Sequence, residues 1–226
     1  KLQAGYAYAT SKKRSFIIDD LFYVSPITPA DTNGNKTCLH VLSDSMLIFK
    51  QGVGKLKLLS NNMPNYYLIS TYLAQNFAVF YPNLEGDRKT HDYSSGGTHE
   101  WGYGLAVYEC ENGYIFRPKS YEMTGDGIYI GKSWSNATHD VPKNITIVEP
   151  EVHHVRRNGL SFTAWDNVKV IRPKIGFVGD SDGIAGAFPK ACIDIEPETE
   201  GSVYKSYGKA GVIESPHLHD SYAGVY

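Results

Sequence analysis

Asp194 and Glu196 stand two residues apart in Cys192-Ile-Asp-Ile-Glu196, where apolar and polar residues alternate. Period-two alternation marks a strand with one buried face. Ile193 and Ile195 are therefore expected inward and the two carboxyl groups outward, roughly 7 Å apart along the strand. At that separation one carboxyl can protonate a leaving oxygen while the other activates water, which is the division of labour that hydrolyses a glycosidic bond. The competing reading is that both are solvated or paired with a base such as Lys190.

Asp126 precedes Gly127 at the entrance of a similar run, where it could instead bond its own turn backbone. One repeat later, His153-His-Val-Arg-Arg157 leads into the equivalent strand, so Arg156, Arg157 or His154 is expected beside Asp126. Arginine offers a planar fork for an acidic sugar, and histidine can orient water or carry a proton; a salt bridge or a turn contact is the alternative for each. The long polar stretch from Glu85 to Trp101 gathers Asp87, Arg88, His91, Asp92, His99 and Glu100. Its spacings match no established metal-ligand pattern and no Cys joins them, so neither a metal nor another cofactor is expected. A sugar platform suits it better, with Trp101, Tyr93, Trp134 and Trp165 stacking on pyranose faces while Arg88 and Glu100 bond hydroxyls; packing over an edge competes for each aromatic.

These residues need a scaffold, and two in-phase repeats supply it. Asn-x-x-(Val/Ile)-x-x-Pro occurs at Asn76, Asn112, Asn144 and Asn167, with 23 to 36 residues between copies. Gly104-Leu-Ala-Val-Tyr108, Gly127-Ile-Tyr-Ile-Gly131, Gly159-Leu-Ser-Phe-Thr163 and Cys192-Ile-Asp-Ile-Glu196 form the second set. A unit of roughly constant size with variable insertions reads as a solenoid of strands. Its inward residues are expected to stack as two columns, Leu105, Ile128, Leu160, Ile193 and Val107, Ile130, Phe162, Ile195, joined by parallel sheet. Residues 2–13 read as a short helix capping the first turn of the stack, and residues 1–26 as a cap with the first strands, leaving residues 27–226 as the repeating coils.

With 226 residues, 42% of them apolar, the chain can bury a substantial core. Its 17 Tyr suit strand surfaces and sugar contacts. The net charge of −2, with scattered Lys and Arg, argues against a nucleic-acid partner. No apolar run reaches the length of a membrane span and no signal peptide is visible, so no membrane insertion is expected. Cys38, Cys110 and Cys192 read as buried free thiols, which fit synthesis in a reducing cytoplasm. Starting without Met at Lys1, the chain reads as part of something longer.

Across nearly its whole length the chain resembles the right-handed parallel β-helix proteins of the pectate-lyase superfamily. The residues that carry the likeness are Tyr6-Ala-Tyr-Ala9 through Tyr23-Val-Ser-Pro26, Gly86-Asp-Arg88 with His99-Glu-Trp-Gly102, Gly125-Asp-Gly-Ile-Tyr-Ile-Gly131, Arg157-Asn-Gly-Leu-Ser161 and Cys192-Ile-Asp-Ile-Glu-Pro197. It is most similar to bacteriophage tailspike depolymerases and polygalacturonase-like glycosidases. The resemblance implies an all-β, right-handed parallel β-helix with a short N-terminal capping helix. It also implies a homotrimeric spike, on a virion or outside the cell, that cuts a bacterial surface polysaccharide. Asp126 resembles that family's catalytic aspartate and would be a general acid, although a single Asp followed by Gly stands where adjacent aspartates are usual. Elimination by a lyase, using Arg156, Arg157 and the His pair, and glycan binding without cleavage are the alternatives.

Overall fold

Each Asn-x-x-(Val/Ile)-x-x-Pro unit is one strand with a left-handed residue near either end. Asn76, Asn112, Asn144 and Asn167 have φ of 54°, 55°, 53° and 54°, and Tyr81, Arg117, Glu149 and Arg172, each just before the Pro, have 56°, 49°, 50° and 50°. Asparagine tolerates this region better than most residues. The four side chains also form a ladder, each Nδ2 donating to Oδ1 of the preceding Asn at 3.2 Å for Asn112, 3.1 Å for Asn144 and 2.8 Å for Asn167. Asn76 donates in turn to Asp44 at 3.0 Å, and Asp44 shares the left-handed backbone with φ 52°.

The computed structural model describes residues 1–29, 34–132, 141–197 and 208–226. Among these residues it is mostly β, with three sheets of seven, seven and eight strands. The chain visits them in rotation: Glu111–Phe116 lies in the first sheet, Lys119–Tyr121 in the second and Ile128–Gly131 in the third, after which Lys143–Val148 returns to the first beside Glu111–Phe116. Among the described residues all strand pairings are parallel except Thr28–Pro29 with Lys36–His40. This arrangement is compatible with a parallel β-helix. One passage through the three sheets is called a tier below.

The apolar columns have the expected register. Leu105 pairs with Ile128, Ile128 with Leu160 and Leu160 with Ile193; Val107, Ile130, Phe162 and Ile195 follow in the same way. All are buried except Ile195, which is 42% exposed at the end of its strand rather than inward. The helix, Leu2–Ser11, covers the first tier: Tyr6 is fully buried, stacks on Phe16 and hydrogen-bonds Ser45, while the Gln3 amide pairs with both backbone groups of His40. Phe16–Ile18 and Leu21–Val24 pair with Met46–Phe49 and Lys55–Leu58 in the same sheets as every later tier, so strand pairing runs straight across the division at residue 26. Cys38, Cys110 and Cys192 are buried and free. No helix among the described residues is long and apolar enough to cross a membrane.

Where the first sheet turns into the second, charge alternates from tier to tier. Arg117-Pro-Lys119 lies beside Glu149-Pro-Glu151, which lies beside Arg172-Pro-Lys174. Glu149 takes Arg117 on one side at 2.5 Å and Arg172 on the other at 2.8 Å, and Lys119 reaches Glu151 at 3.2 Å.

Candidate functional site

The corner between the second and third sheets positions most of the residues that chemistry would use. Residues 86–100, 122–127, 156–159 and 179–190 are its successive connections, so side chains far apart in sequence become neighbours between tiers. Tyr129, Ser161 and Asp194 align in register on adjacent third-sheet strands, alternating with the core residues Ile128, Leu160 and Ile193.

Asp126, 0% exposed, is held by three donors. Nη1 of Arg157 and Oγ of Ser161 donate to its Oδ2 at 3.0 and 2.8 Å, and the Asn158 amide donates to Oδ1 at 3.0 Å. Burial raises its pKa, and these donors oppose the rise. Asn158 bridges to the second carboxylate: its Nδ2 donates to Oδ2 of Asp194 at 2.8 Å and to Ser161 Oγ at 3.1 Å, while its Oδ1 accepts from Ala191 N at 3.1 Å. Asp194 is 1% exposed and its Oδ1 has no hydrogen-bond partner among the described residues. Burial pushes its pKa up to about 6, with Glu196 and Asp126 adding to the rise and Arg157 and Asn158 opposing it. Two neighbouring carboxyl groups in unlike surroundings can hold unlike protonation states, one fixed by donors and one whose pKa burial lifts toward neutrality.

The outward pairing expected of Asp194 and Glu196 is altered: Asp194 is covered, whereas Glu196 lies just beyond the strand Ala191–Ile195 and is exposed. Arg157 meets Asp126 across the tiers, as its position suggested. Arg156 is an internal staple, because Nε donates to Ala185 O and Nη1 to the carbonyls of Thr98, His99 and Thr124, with the guanidinium 4.5 Å over the Tyr93 ring. Arg88, fully buried, is another: it bonds Glu122 and Asp182 at 2.9 Å and both oxygens of Ser181 at 3.0 Å. Arg88 is closed off from any sugar in this arrangement, whereas Arg156 lines an open cleft while holding these carbonyls. His154 is half-buried between His153 and Phe177, stacked on the latter. Glu100 lines a cleft, Trp101 is 45% exposed, and Trp165 packs edge-on against Phe162. Trp134 lies outside the described residues.

Sequence reasoning missed Asn158 and Ser161, and it also missed what Asp87, His91 and His99 do. The Asp87 carboxylate accepts from Asn61 N and Nδ2 at 3.0 and 2.9 Å and from Tyr66 OH at 2.9 Å, and it meets His91 Nδ1 at 2.8 Å. His91 Nε2 meets His99 Nδ1 at 2.7 Å, and His99 Nε2 meets the Gly96 carbonyl at 2.9 Å. A carbonyl can only accept, so His99 is protonated on Nε2; burial and the nearby His91 keep its pKa low and the ring neutral. His91 then donates from Nε2, and one further proton is shared between His91 and Asp87. The chain of bonds latches the 86–101 excursion to the body, and its signal in the sequence is the run of paired acids and histidines.

No family model and no solved structure matches the chain. Two Bacillus proteins are similar to it. The uncharacterized protein YclG of Bacillus subtilis strain 168 is 33% identical over 153 residues, 66% of this chain and 26% of its own length. The SPbeta prophage-derived uncharacterized protein YorA of the same strain is 26% identical over 168 residues, 70% of this chain and 28% of its own. The chain therefore spans little more than a quarter of each of these relatives.

Proposed function

We propose that the chain is part of a right-handed parallel β-helix protein of the phage tailspike type, which binds a bacterial surface polysaccharide and hydrolyses its glycosidic bonds. The reading rests on Asp194, a carboxyl group with a pKa near 6 and one unpartnered oxygen, beside a second carboxylate whose oxygens are both engaged. Asp194 delivers the proton to the leaving oxygen. Exposed Glu196 activates water, and Asp126, fixed by Arg157, Ser161 and Asn158, adds to the rise in the Asp194 pKa that burial chiefly causes. The right hand follows from the strong preference of parallel crossovers for that sense. A prophage-derived relative supports a place on a virion or outside the cell, and the buried free thiols support synthesis in a reducing cytoplasm. Homotrimeric assembly completes the proposal by resemblance.

Elimination is less well supported, because Arg156 and Arg157 are already engaged by protein acceptors. The burial of both aspartates favours a second reading, a glycan-binding spike that does not cut, since hydrolysis requires Asp194 to reach the bond. Incubating the intact protein with capsular and surface polysaccharides separates these readings. Shortening with new reducing ends and no ultraviolet absorbance from unsaturated uronates is expected of the hydrolase. Absorbance would indicate a lyase, and binding without shortening would indicate the spike.

A further inference from the structure

Four of the chain's eight His gather on the outer side of the second sheet, so this is where its charge responds most to pH: His153 and His154 in one tier, His217 and His219 two tiers on. His153, His154 and His219 frame a pocket of about 250 Å³, completed by Phe177, Glu151 and Lys174. Drug-sized ligands take ~300–1,000 Å³, so the pocket suits one substituent rather than a whole glycan. Gly176 makes room for it. Gly176 pairs with His153 in register, and a Cβ there would collide with the His219 ring, so only Gly lets that imidazole fold in over the sheet.

The rings spend Nδ1 on the protein. His153 Nδ1 meets His154 Nδ1 at 2.9 Å, and His219 Nδ1 donates to Asp220 at 2.8 Å. Nε2 of each stands without a hydrogen bond among the described residues; Glu151 lies 3.9 Å from that of His153 and Asp182 4.0 Å from that of His154. His153 stacks on Tyr121 and His154 on Phe177, with centroids 5.0 and 4.7 Å apart, and a ring face favours an imidazolium.

Fixed charges cancel around the pocket. Lys119 and Lys174 stand against Glu151 and Asp220, while Asp182 and Glu122 are matched by Arg88 and Lys89. What remains is the charge on the imidazoles, which grows as pH falls. One added proton leaves the His153–His154 bond intact, because one ring donates from Nδ1 while the other accepts; another turns Nε2 of His219 into a donor. Burial, with Lys119 and His154 next, holds His153 below the ordinary imidazole range, and Glu151 and Glu122 oppose this. Donor geometry then selects the anion. Imidazole N–H groups and a Lys ammonium are single-point donors from three different tiers, which a tetrahedral phosphate can take on separate oxygens. No guanidinium fork, the match for a planar carboxylate, lines the pocket.

We propose that this pocket binds a phosphodiester group carried by the surface polysaccharide, and that binding strengthens as pH falls. This deepens the polysaccharide reading above and rests on it. The test is calorimetry of the intact protein with poly(glycerol phosphate), whose diesters keep one charge throughout, beside a polyuronate of matched charge density and a single-stranded DNA oligonucleotide. Titrations are run at fixed ionic strength at about pH 5.5 and about pH 7.5, either side of the ordinary imidazole value, and repeated with His219→Gln and Lys174→Gln.

Poly(glycerol phosphate) is expected to bind about tenfold more tightly at the lower pH, and there about threefold or more tighter than the polyuronate. His219→Gln should remove most of the pH dependence. Lys174 is exposed, so Lys174→Gln leaves the fold intact; it should weaken binding about threefold at both pH values and keep the pH dependence. In the unaltered protein the polymer should raise the titration midpoints of His153 and His219, followed by NMR of their ring protons, since linkage is reciprocal. That readout stands even where His219→Gln misfolds. Equal affinity at the two pH values, equal or tighter binding of polyuronate or DNA, or ring titrations unmoved by the polymer overturns the site. Acid-strengthened binding without shortening of any polysaccharide would sustain the site while removing hydrolysis; shortening of a phosphate-free polysaccharide with no binding of poly(glycerol phosphate) would do the reverse.

Discussion

Two buried polar clusters sit at the same corner of the molecule and differ in whether their hydrogen bonding is complete. In the Asp87–His91–His99 chain every ring nitrogen and both carboxylate oxygens have partners. In the Asp126–Asn158–Asp194 cluster one acceptor, Oδ1 of Asp194, has none among the described residues. A completed buried network stiffens the fold, whereas an unmet buried oxygen destabilises it unless it has a use. The first cluster is therefore read as a latch and the second as the place for chemistry.

The largest effect that would test this contrast is on the latch. Asp87→Ala strips the acceptor from Asn61, Tyr66 and His91 and is expected to cost about 3–5 kcal/mol, as breaking a buried charged pair does. Denaturant unfolding would show the loss, together with new protease cleavage within 86–101; an unchanged midpoint and an uncut loop would end the latch reading. Next comes Asp194. Its folded pKa of about 6 lies above the ordinary 3.8, so the folded state holds the proton more tightly. Its contribution to stability is full below pH ~3.8 and is lost as pH rises through about 6, by about 2–3 kcal/mol. Asp194→Asn should flatten that slope relative to the parent and abolish cleavage; parallel stability curves from pH 4 to 7 would show that the carboxyl is not perturbed.

Asn158→Ala should cost about 2 kcal/mol in the same unfolding experiment, because the Ala191 amide loses its acceptor and Asp194 loses its donor. It should also move the Asp194 titration, followed by carboxyl carbon NMR, still higher. The smallest expected effect is on the exposed Asn ladder, a third network whose rungs are matched but wet. Asn144→Ala should cost about 1 kcal/mol for placing a Cβ-bearing residue at φ 53° without a ladder bond, while Asn144→Gly should stay within a few tenths. Equal losses for the two would mean that the ladder, not the backbone, sets the cost.

The apolar columns were legible because period-two alternation survives in every copy, and the meeting of Asp126 with Arg157 followed from counting along those copies. The tier containing Asp44 was harder to see, because Asp stands in the Asn place and Lys50 where the Pro belongs, although the backbone at Asp44 is the same. Asn158 and Ser161 escaped notice because their carboxylate partners Asp194 and Asp126 lie 36 and 35 residues away and become neighbours only through strand register. Arg88 and Arg156 looked available for substrate because sequence shows a guanidinium but not the carbonyls and carboxylates that folded excursions bring to it. Ile195 was expected inward from alternation alone, which carries no information about where a strand stops being covered.

The alternating corner of Arg117, Glu149 and Arg172 acts as a parity check on assembly. The Asn ladder is indifferent to which copy lies beside which, since any rung can donate to any other. If the Glu149 tier were skipped, Arg117-Pro-Lys119 would lie against Arg172-Pro-Lys174, setting like charge against like at both the first and the third residue, while Glu149-Pro-Glu151 set against the outer neighbours Tyr81-Pro-Asn83 or Ser215-Pro-His217 would lose its basic partners. Each exposed pair is worth at most about 1 kcal/mol. Their combined preference nonetheless tells a skipped tier from a correct one, in a chain whose repeated units otherwise look alike to one another.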